Sequence, residues 1–382
     1  MLPATIAPNI SAQWMPRALL LSLLWLGHLP GAMSVLIGRS SYLQHDLQAA
    51  DLRSDLEAAD LRDIPDSELR LRGKLIFLMM AIDNIAQEEI WIRFFKGIRR
   101  GVNYEAYLHC TFHKWCDQGV HRRDIFQLVN TVPSAYCTNV VSPMLALLNA
   151  AIGKADPQNL NDKFIFVSST TAPVKPFWRA HRMLTDKPGA ALFHVSNPQA
   201  CQLFKASQWS ALSYSHARRM LDAAARTSSF DMDLVSGVPE GCQLCLDEFW
   251  PIVSIFGEDA LRGFPDKLPP TLVLNNMTFT EWRQNISSPE NQQLDISQLD
   301  PMVQESVVRA DKVWSDSEAS PRKEMGPWGP VSYGRLNITF VSKLRADPYF
   351  IFMRKITKNT VFDDVVDLSV ADVWDKYILK AR

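Results

Sequence analysis

Lys74-Leu-Ile-Phe-Leu-Met-Met80 is an apolar run of strand length, opened by a lysine and free of polar alternation. A strand covered on both faces reads this way, so the run predicts a strand buried inside a parallel sheet. The chain keeps that rhythm on its C-terminal side. Positions 88–99 put Ile90, Trp91, Phe94 and Phe95 on one side of a helix, and Tyr104-Glu-Ala-Tyr-Leu-His109 reads as a second strand. An apolar helix over 142–152 leads to a third strand, Lys163-Phe-Ile-Phe-Val-Ser168, and to a helix over 176–184. A short strand at 191–195 and a helix over 214–225, basic at Arg218 and Arg219, come next. Late strands at 271–274, 338–341 and 349–353 precede an amphipathic helix over 365–379. Strands alternating with helices predict an α/β fold with a mostly parallel central sheet. Ligands in such sheets sit beyond the carboxyl ends of the strands, which directs attention to the residues after Met80, His109 and Val167. Residues 283–334, polar and supplied with Pro, Ser and Asn, read as a long loop or insertion.

On the N-terminal side the texture differs. Leu47-Gln-Ala-Ala-Asp-Leu-Arg-Ser-Asp55 is nearly repeated as Leu56-Glu-Ala-Ala-Asp-Leu-Arg-Asp63. Its Ala, Leu and charge favour helix, but its apolar positions are too sparse for a buried one. Residues 41–72 are therefore expected to be a solvated helical stem. Before them, Arg17 precedes the compact run Ala18–Leu26, which Gly27, His28, Pro30 and Gly31 interrupt. That length suits a signal-peptide core better than a spanning helix, and an uncleaved anchor would have to continue through Val35-Leu36-Ile37. Residues 1–40 are read as a signal peptide or signal anchor, with a buried N-terminal helix as the plain alternative. Residues 73–382 form the expected globular domain. Sequons at Asn9, Asn276, Asn285 and Asn337 accord with a lumenal body.

The 382 residues carry a net charge of −1, which gives no global attraction to nucleic acid. Six cysteines are too few for a disulfide scaffold, and their connectivity cannot be read from spacing. Cys242-Gln-Leu-Cys245 has neither a second pair nor a spaced histidine pair beside it, so structural disulfide partners or buried thiols are expected rather than a redox or zinc motif.

The slot after the third strand is Ser168-Ser-Thr-Thr171, with no carboxylate to hold a divalent ion on a diphosphate. Asp231-Met-Asp233 lies in a polar stretch after a helix and reads as a capping or loop feature. Without a metal, a leaving diphosphate needs protein cations. Arg335, and Arg354-Lys355 at a strand end, are the candidates, and each is equally readable as solvated charge. Asp247-Glu248 stands before Phe249-Trp-Pro-Ile-Val253, either as a base for an attacking hydroxyl or as an ordinary helix N-terminal cap.

These pieces fall in the order of a known family. Lys74–Met80 with Trp91-Ile-Arg-Phe-Phe-Lys-Gly97 forms the first block; Val132-Pro-Ser134, Ser142–Asn149 and Phe164–Ser169 form the second. Lys205-Ala-Ser-Gln-Trp209 followed by Leu246-Asp-Glu-Phe249, and then Tyr349-Phe-Ile-Phe-Met-Arg-Lys-Ile356, complete the set. Over roughly 74–356 the chain resembles the core-2/I-branching β-1,6-N-acetylglucosaminyltransferase family (glycosyltransferase family 14), and especially its plant-type branch. The resemblance implies a GT-A-like domain that takes a UDP-sugar, with no metal cofactor, and inverts the anomeric centre. It implies Glu248 as catalytic base with Asp247 beside it, and Arg335, Arg354 and Lys355 at the donor. It places Lys205, Ser207, Gln208, Trp209 and Trp282 at the acceptor. Trp209 is as readily a core residue. The implied partners are a UDP-sugar, a glycan or glycoprotein acceptor and, for an anchored chain, the Golgi membrane. N-acetylglucosamine, xylose and glucuronic acid are all used in the wider family. The sequence departs from the pattern at Ser168-Ser169-Thr170, where the plant-type branch has Ser-Glu-Ser, at Leu246 in place of proline and at Ala206 in place of glycine. A carbohydrate-binding protein that kept this fold without the reaction is the alternative; a thiol oxidoreductase at Cys242 and Cys245 is a further one.

Overall fold

Leu75, Ile76, Phe77, Leu78 and Met79 are each fully buried, and alternate side chains enter different cores. In the computed structural model the described residues are 73–196, 203–227, 245–264, 267–280, 323–324 and 330–380. The expected leader, anchor and stem, Trp282, Asp231, Asp233, Cys201 and Cys242 lie outside them. The chain divides into the units Met1–Asp63 and Ile64–Arg382, and everything described belongs to the second.

In chain order the strands are β1 (Leu75–Ala81), β2 (Tyr104–Cys110), β3 (Gln127–Leu128), β4 (Lys163–Ser168), β5 (Ala172–Pro173), β6 (Ala191–Phe193), β7 (Val195–Ser196) and β8 (Lys205–Ala206). Then come β9 (Ala211–Ser213), β10 (Leu272–Leu274), β11 (Thr278–Thr280), β12 (Lys323–Glu324), β13 (Ser332–Leu336), β14 (Phe352–Arg354) and β15 (Ile356–Phe362). The helices are α1 (Glu88–Phe94), α2 (His113–Gly119), α3 (Val141–Ala151), α4 (Phe177–Thr185), α5 (Tyr214–Arg226), α6 (Trp250–Phe256), α7 (Ile338–Ala346) and α8 (Val370–Trp374).

The central sheet has the order β10-β6-β9-β4-β1-β2-β3. It is parallel apart from β9, which runs antiparallel to both β4 and β6. The predicted mixed α/β fold with a mostly parallel sheet is therefore present. Ile76 and Leu78 join Val141, Met144 and Leu148 of α3 and Met220 of α5 on one face. Leu75, Phe77 and Met79 join Trp91 and Phe94 of α1 and Phe177 of α4 on the other. Phe77 sits edge-on to Trp91, Phe94, Phe95 and Phe352, with ring centroids 5.2–6.3 Å away. Burying one such side chain is worth about 1.5–3 kcal/mol, so the pair of faces makes β1 the strand the sheet is built on.

Several sequence expectations are corrected. Residues 338–341 are helical, not a strand: Asn337 Oδ1 accepts from Phe340 N–H, and Phe340, Val341 and Leu344 turn one face inward. The strand in that region is β13, at the end of the stretch expected to be a loop. Of 349–353 only the end is extended, and β14 lies in a separate three-stranded sheet, β11-β14-β5, rather than in the central one. Helix α1 stops at Phe94, and Gly97 turns the chain with φ +78°. The last helix begins only at Val370, where Ser369 accepts from Asp372 N–H. Residues 191–195 split into β6 and β7 around His194.

Among the described residues two disulfides are present, Cys110–Cys116 and Cys137–Cys245. Cys245 is thus not paired with Cys242, which removes the thiol-oxidoreductase reading of that dipair. The second bridge spans 108 residues and the first only 6. Loop-closure entropy then predicts that Cys245→Ser costs about 4–5 kcal/mol and Cys116→Ser about 2 kcal/mol. Denaturant titration without reductant measures both, and equal losses would contradict the entropic account.

Candidate functional site

Lys163 pairs with Ser213 and Ile165 with Ala211, so β9 starts where β4 ends. Phe166 N–H donates to Ser210 O at 2.9 Å. The segment 205–210 consequently approaches the carboxyl edge of the parallel strands, where ligands of such sheets bind. Its turn is internally fastened. Ser207 N–H donates to His194 O at 2.7 Å, and Trp209 N–H donates to Ser207 Oγ at 3.2 Å. Ser207 therefore serves the backbone. Trp209 is only 7 % exposed, and the Arg354 guanidinium carbon lies 4.4 Å from its ring centroid. That geometry is a cation–π contact, and it gives the tryptophan the core role that sequence left open.

A second segment arrives through the Cys137–Cys245 bridge. Leu246 N–H donates to Cys137 O at 2.9 Å, and Leu246–Glu248 form a single 3-10 turn ahead of α6. Glu248 makes two contacts here, one of them that of a cap. Its Oε2 accepts from Cys245 N–H at 3.4 Å, and its Oε1 accepts from the Lys205 ammonium. Both side chains of that ion pair are 17 % exposed, so the carboxylate is reachable from outside.

Arg354 is the last residue of β14 and Lys355 follows it. Ile356 N–H donates to Thr170 O at 2.8 Å, and β5 pairs antiparallel with β14, Ala172 opposite Met353. This places the two cations against the segment after β4. There the hydroxyls of Ser168, Thr170 and Thr171 bind one another, with Ser168 Oγ 3.0 Å from Thr170 Oγ1 and 2.9 Å from Thr171 Oγ1. Arg335 is elsewhere on β13, exposed and ion-paired with Asp363. It stands two residues past Tyr333, whose N–H donates to Lys355 O at 2.8 Å. The structure thus brings Lys205, Trp209, Asp247, Glu248, Arg354 and Lys355 to one edge. It does not place the Arg335 side chain among them.

The electrostatics are those of a desolvated, cation-rich site. Burial lowers the Arg354 pKa to about 9, against the opposing influence of Tyr136 and Asp247. Burial, and then Arg354, lowers the pKa of Lys355. Burial raises the Asp247 carboxyl to about 6, aided by Glu248 and opposed by Lys205 and Arg354. Adding an anion beside the two cations would relieve what burial imposes on both. Among the described residues no three His, Cys, Asp or Glu side chains gather as metal ligands. Nor is any described helix long and apolar enough to cross a membrane.

Sequence reasoning did not single out His194 and Asn275, which directly follow β6 and β10 at this same edge. The available signal was positional: each is the first polar residue after a short apolar strand. No protein-family model matches the chain, and no curated protein matches it. The likeness to the core-2/I-branching family rests on the four sequence blocks alone.

A carboxyl whose folded pKa is raised adds stability below its unfolded pKa and loses it as pH rises through the folded value. Relative to Asp247→Asn, the wild type should lose up to about 3 kcal/mol between pH 4 and pH 6. Urea titrations across that window measure the difference, and parallel pH profiles would show that Asp247 ionises normally.

Proposed function

We propose that the chain is a GT-A-like inverting glycosyltransferase that uses a UDP-sugar and lets Arg354 and Lys355 take the part a divalent ion plays on the diphosphate in other sugar-nucleotide transferases. The observation that carries this reading is the meeting of a reachable carboxylate, Glu248, with two desolvated adjacent cations at the carboxyl edge of a mostly parallel sheet. Inverting transfer asks for those two features, a base for the acceptor and positive charge for the leaving group. The four blocks shared with the core-2/I-branching family support the same assignment.

In the proposed step an acceptor hydroxyl attacks the anomeric carbon as its proton passes to Glu248. The bond from that carbon to the β-phosphate oxygen breaks, and UDP leaves with the electron pair. Lys355 and Arg354 stabilise the growing negative charge, and Asp247 and Trp209 hold Arg354 in place. Lys205 occupies one oxygen of Glu248 and orients the carboxylate; acceptor binding must present its hydroxyl to the base despite that contact. The non-catalytic reading draws its support from the same ion pair, because a lysine held on the base throughout would block proton transfer.

Glu248→Gln should lower sugar transfer by about 10²–10⁴-fold while leaving UDP affinity within about twofold. Transfer near the wild-type rate would remove Glu248 from the chemistry. Lys355→Ala should weaken UDP binding by about tenfold or more, with EDTA present throughout. Because Lys355 and Arg354 lose charge more readily than usual, UDP affinity should fall as pH rises from 7 towards 9.5, less steeply in Lys355→Ala. Calorimetric titration follows both, and UDP binding that appears only with Mn²⁺ would turn attention to Asp231 and Asp233.

A further inference from the structure

Buried polar atoms in folded proteins are nearly always hydrogen-bonded, so a group of exceptions in one place asks for an explanation. Among the described residues, His194 Nε2, Gln208 Oε1, Asn275 Oδ1, Asp247 Oδ1 and Arg354 Nε are buried and without a hydrogen-bond partner. They come from five separate parts of the chain, yet the backbone joins them into a ring. Leu274 and Phe193 pair in register, and Asn275 N–H donates to Phe193 O at 2.9 Å, which sets Asn275 beside His194. Ser207 N–H donates to His194 O and brings Gln208 to the same place. Gln208 adjoins Trp209, whose ring Arg354 covers, and Asp247 acts on Arg354 as a counter-charge. Met277 N–H donates to Asn275 O at 3.1 Å and Ile351 N–H donates to Met277 O at 2.8 Å, closing the ring at β14.

We propose that His194, Gln208 and Asn275 line a subsite for the hydroxyl groups of one neutral sugar ring, held next to Glu248. The inference rests on the glycosyl-transfer reading for its neighbour, Glu248, but its own ground is the orphaned polar atoms. Amide and carboxylate oxygens supply three of the five, and these only accept hydrogen bonds. The His194 imidazole is neutral, its pKa lowered to about 4 by burial, so it brings no cation. A pyranose offers a donor at every hydroxyl and matches such a set. A uronic acid offers ring hydroxyls as well, but its C6 carboxylate only accepts and, set against Gln208 and Asn275, would leave their oxygens unpaired. The subsite therefore favours N-acetylglucosamine, xylose or another neutral sugar over glucuronic acid where C6 of the ring lies against Gln208 and Asn275. The ring could belong to the donor or to the acceptor, and the two sources give different binding patterns.

The test uses the full chain, wild type and two variants, His194→Phe and Asn275→Leu. Groups that have no partner in the free protein can be replaced by apolar ones of similar shape without loss, so both variants should melt at or above the wild-type temperature. A clear fall in melting temperature would mean that these atoms serve the fold, and would overturn the proposal. Titrations then compare UDP with UDP-N-acetylglucosamine, UDP-xylose and UDP-glucuronic acid. Thermal shifts with the methyl glycosides of the same sugars form a separate series. A donor ring predicts that one neutral UDP-sugar binds about tenfold tighter than UDP, an advantage worth about 1.4 kcal/mol, and that the variants lose it while keeping their UDP affinity. An acceptor ring predicts equal affinities for UDP and UDP-sugars, with a neutral methyl glycoside stabilising the wild type and neither variant. If UDP itself fails to bind, the transferase reading falls, and the glycoside series still decides the subsite. Neutral sugars bound equally by wild type and variants, no sugar bound in either series, or the largest gain with the glucuronic acid ligand would each overturn it.

Discussion

A guanidinium shut away from water must be compensated by its surroundings, and at Arg354 that requirement organises the site. One face of the group is covered by Trp209, and Asp247 supplies an opposite charge. Neither partner is near it in sequence. Trp209 comes with the turn that opens β9, and Asp247 with the turn that Cys245 fastens to Cys137. The compensation is incomplete, since the Arg354 pKa remains well below that of a free guanidinium. A buried charge left partly unpaired is costly to stability, and such a cost is commonly met where a ligand completes the environment. Lys355, next in the chain and also short of compensation, extends that unmet positive charge towards the segment after β4.

The parts of this arrangement that were legible in the sequence are those set by local pattern. β1, β2, β4, α3, α4 and α5 were visible because each buries a continuous run or a helical stripe long enough to show its period. What escaped was set by distant partners. β9 is only three residues long, and its direction is fixed by β4 and β6 on either side. Ile338-Thr-Phe-Val341 is β-branched and aromatic, yet Asn337 caps it as a helix, because the capping bond and one buried face outweigh weak strand propensity. β14 was legible as extended, but nothing in Tyr349–Met353 says which neighbours it will meet, and its sheet is not the central one.

The same division runs through the site. Glu248 and Arg354-Lys355 stood out as charges beside apolar or aromatic runs, Lys205 only through the family resemblance, and the structure brings them to one edge. Their mutual relations could not be read. The Lys205–Glu248 pair joins positions 43 apart. Arg335 was nominated for the same role as Arg354, but an irregular register between β13 and β15 and the pairing with Asp363 give it a different setting. Charge type and strand position can nominate residues; register and burial decide which of them share a place.

His194 and Asn275 show why the least conspicuous residues carry the specificity argument. A charged base or a phosphate-binding cation works through field, which tolerates small shifts in position and announces itself by residue type. Recognition of hydroxyls works through short, directional bonds, and common residues such as Asn, Gln and His supply them. Their distinguishing mark is what the free protein lacks: a buried oxygen or nitrogen without a partner. Such an atom weakens the fold until a ligand arrives, and the wrong ligand leaves it unsatisfied. The energy lost with a mismatched sugar then exceeds what the matched hydrogen bond adds, because the penalty for an orphan is larger than the net gain from a pair. On the proposed reading, discrimination at this edge would come from the unsatisfied atoms, and the cations would set how firmly a nucleotide is held.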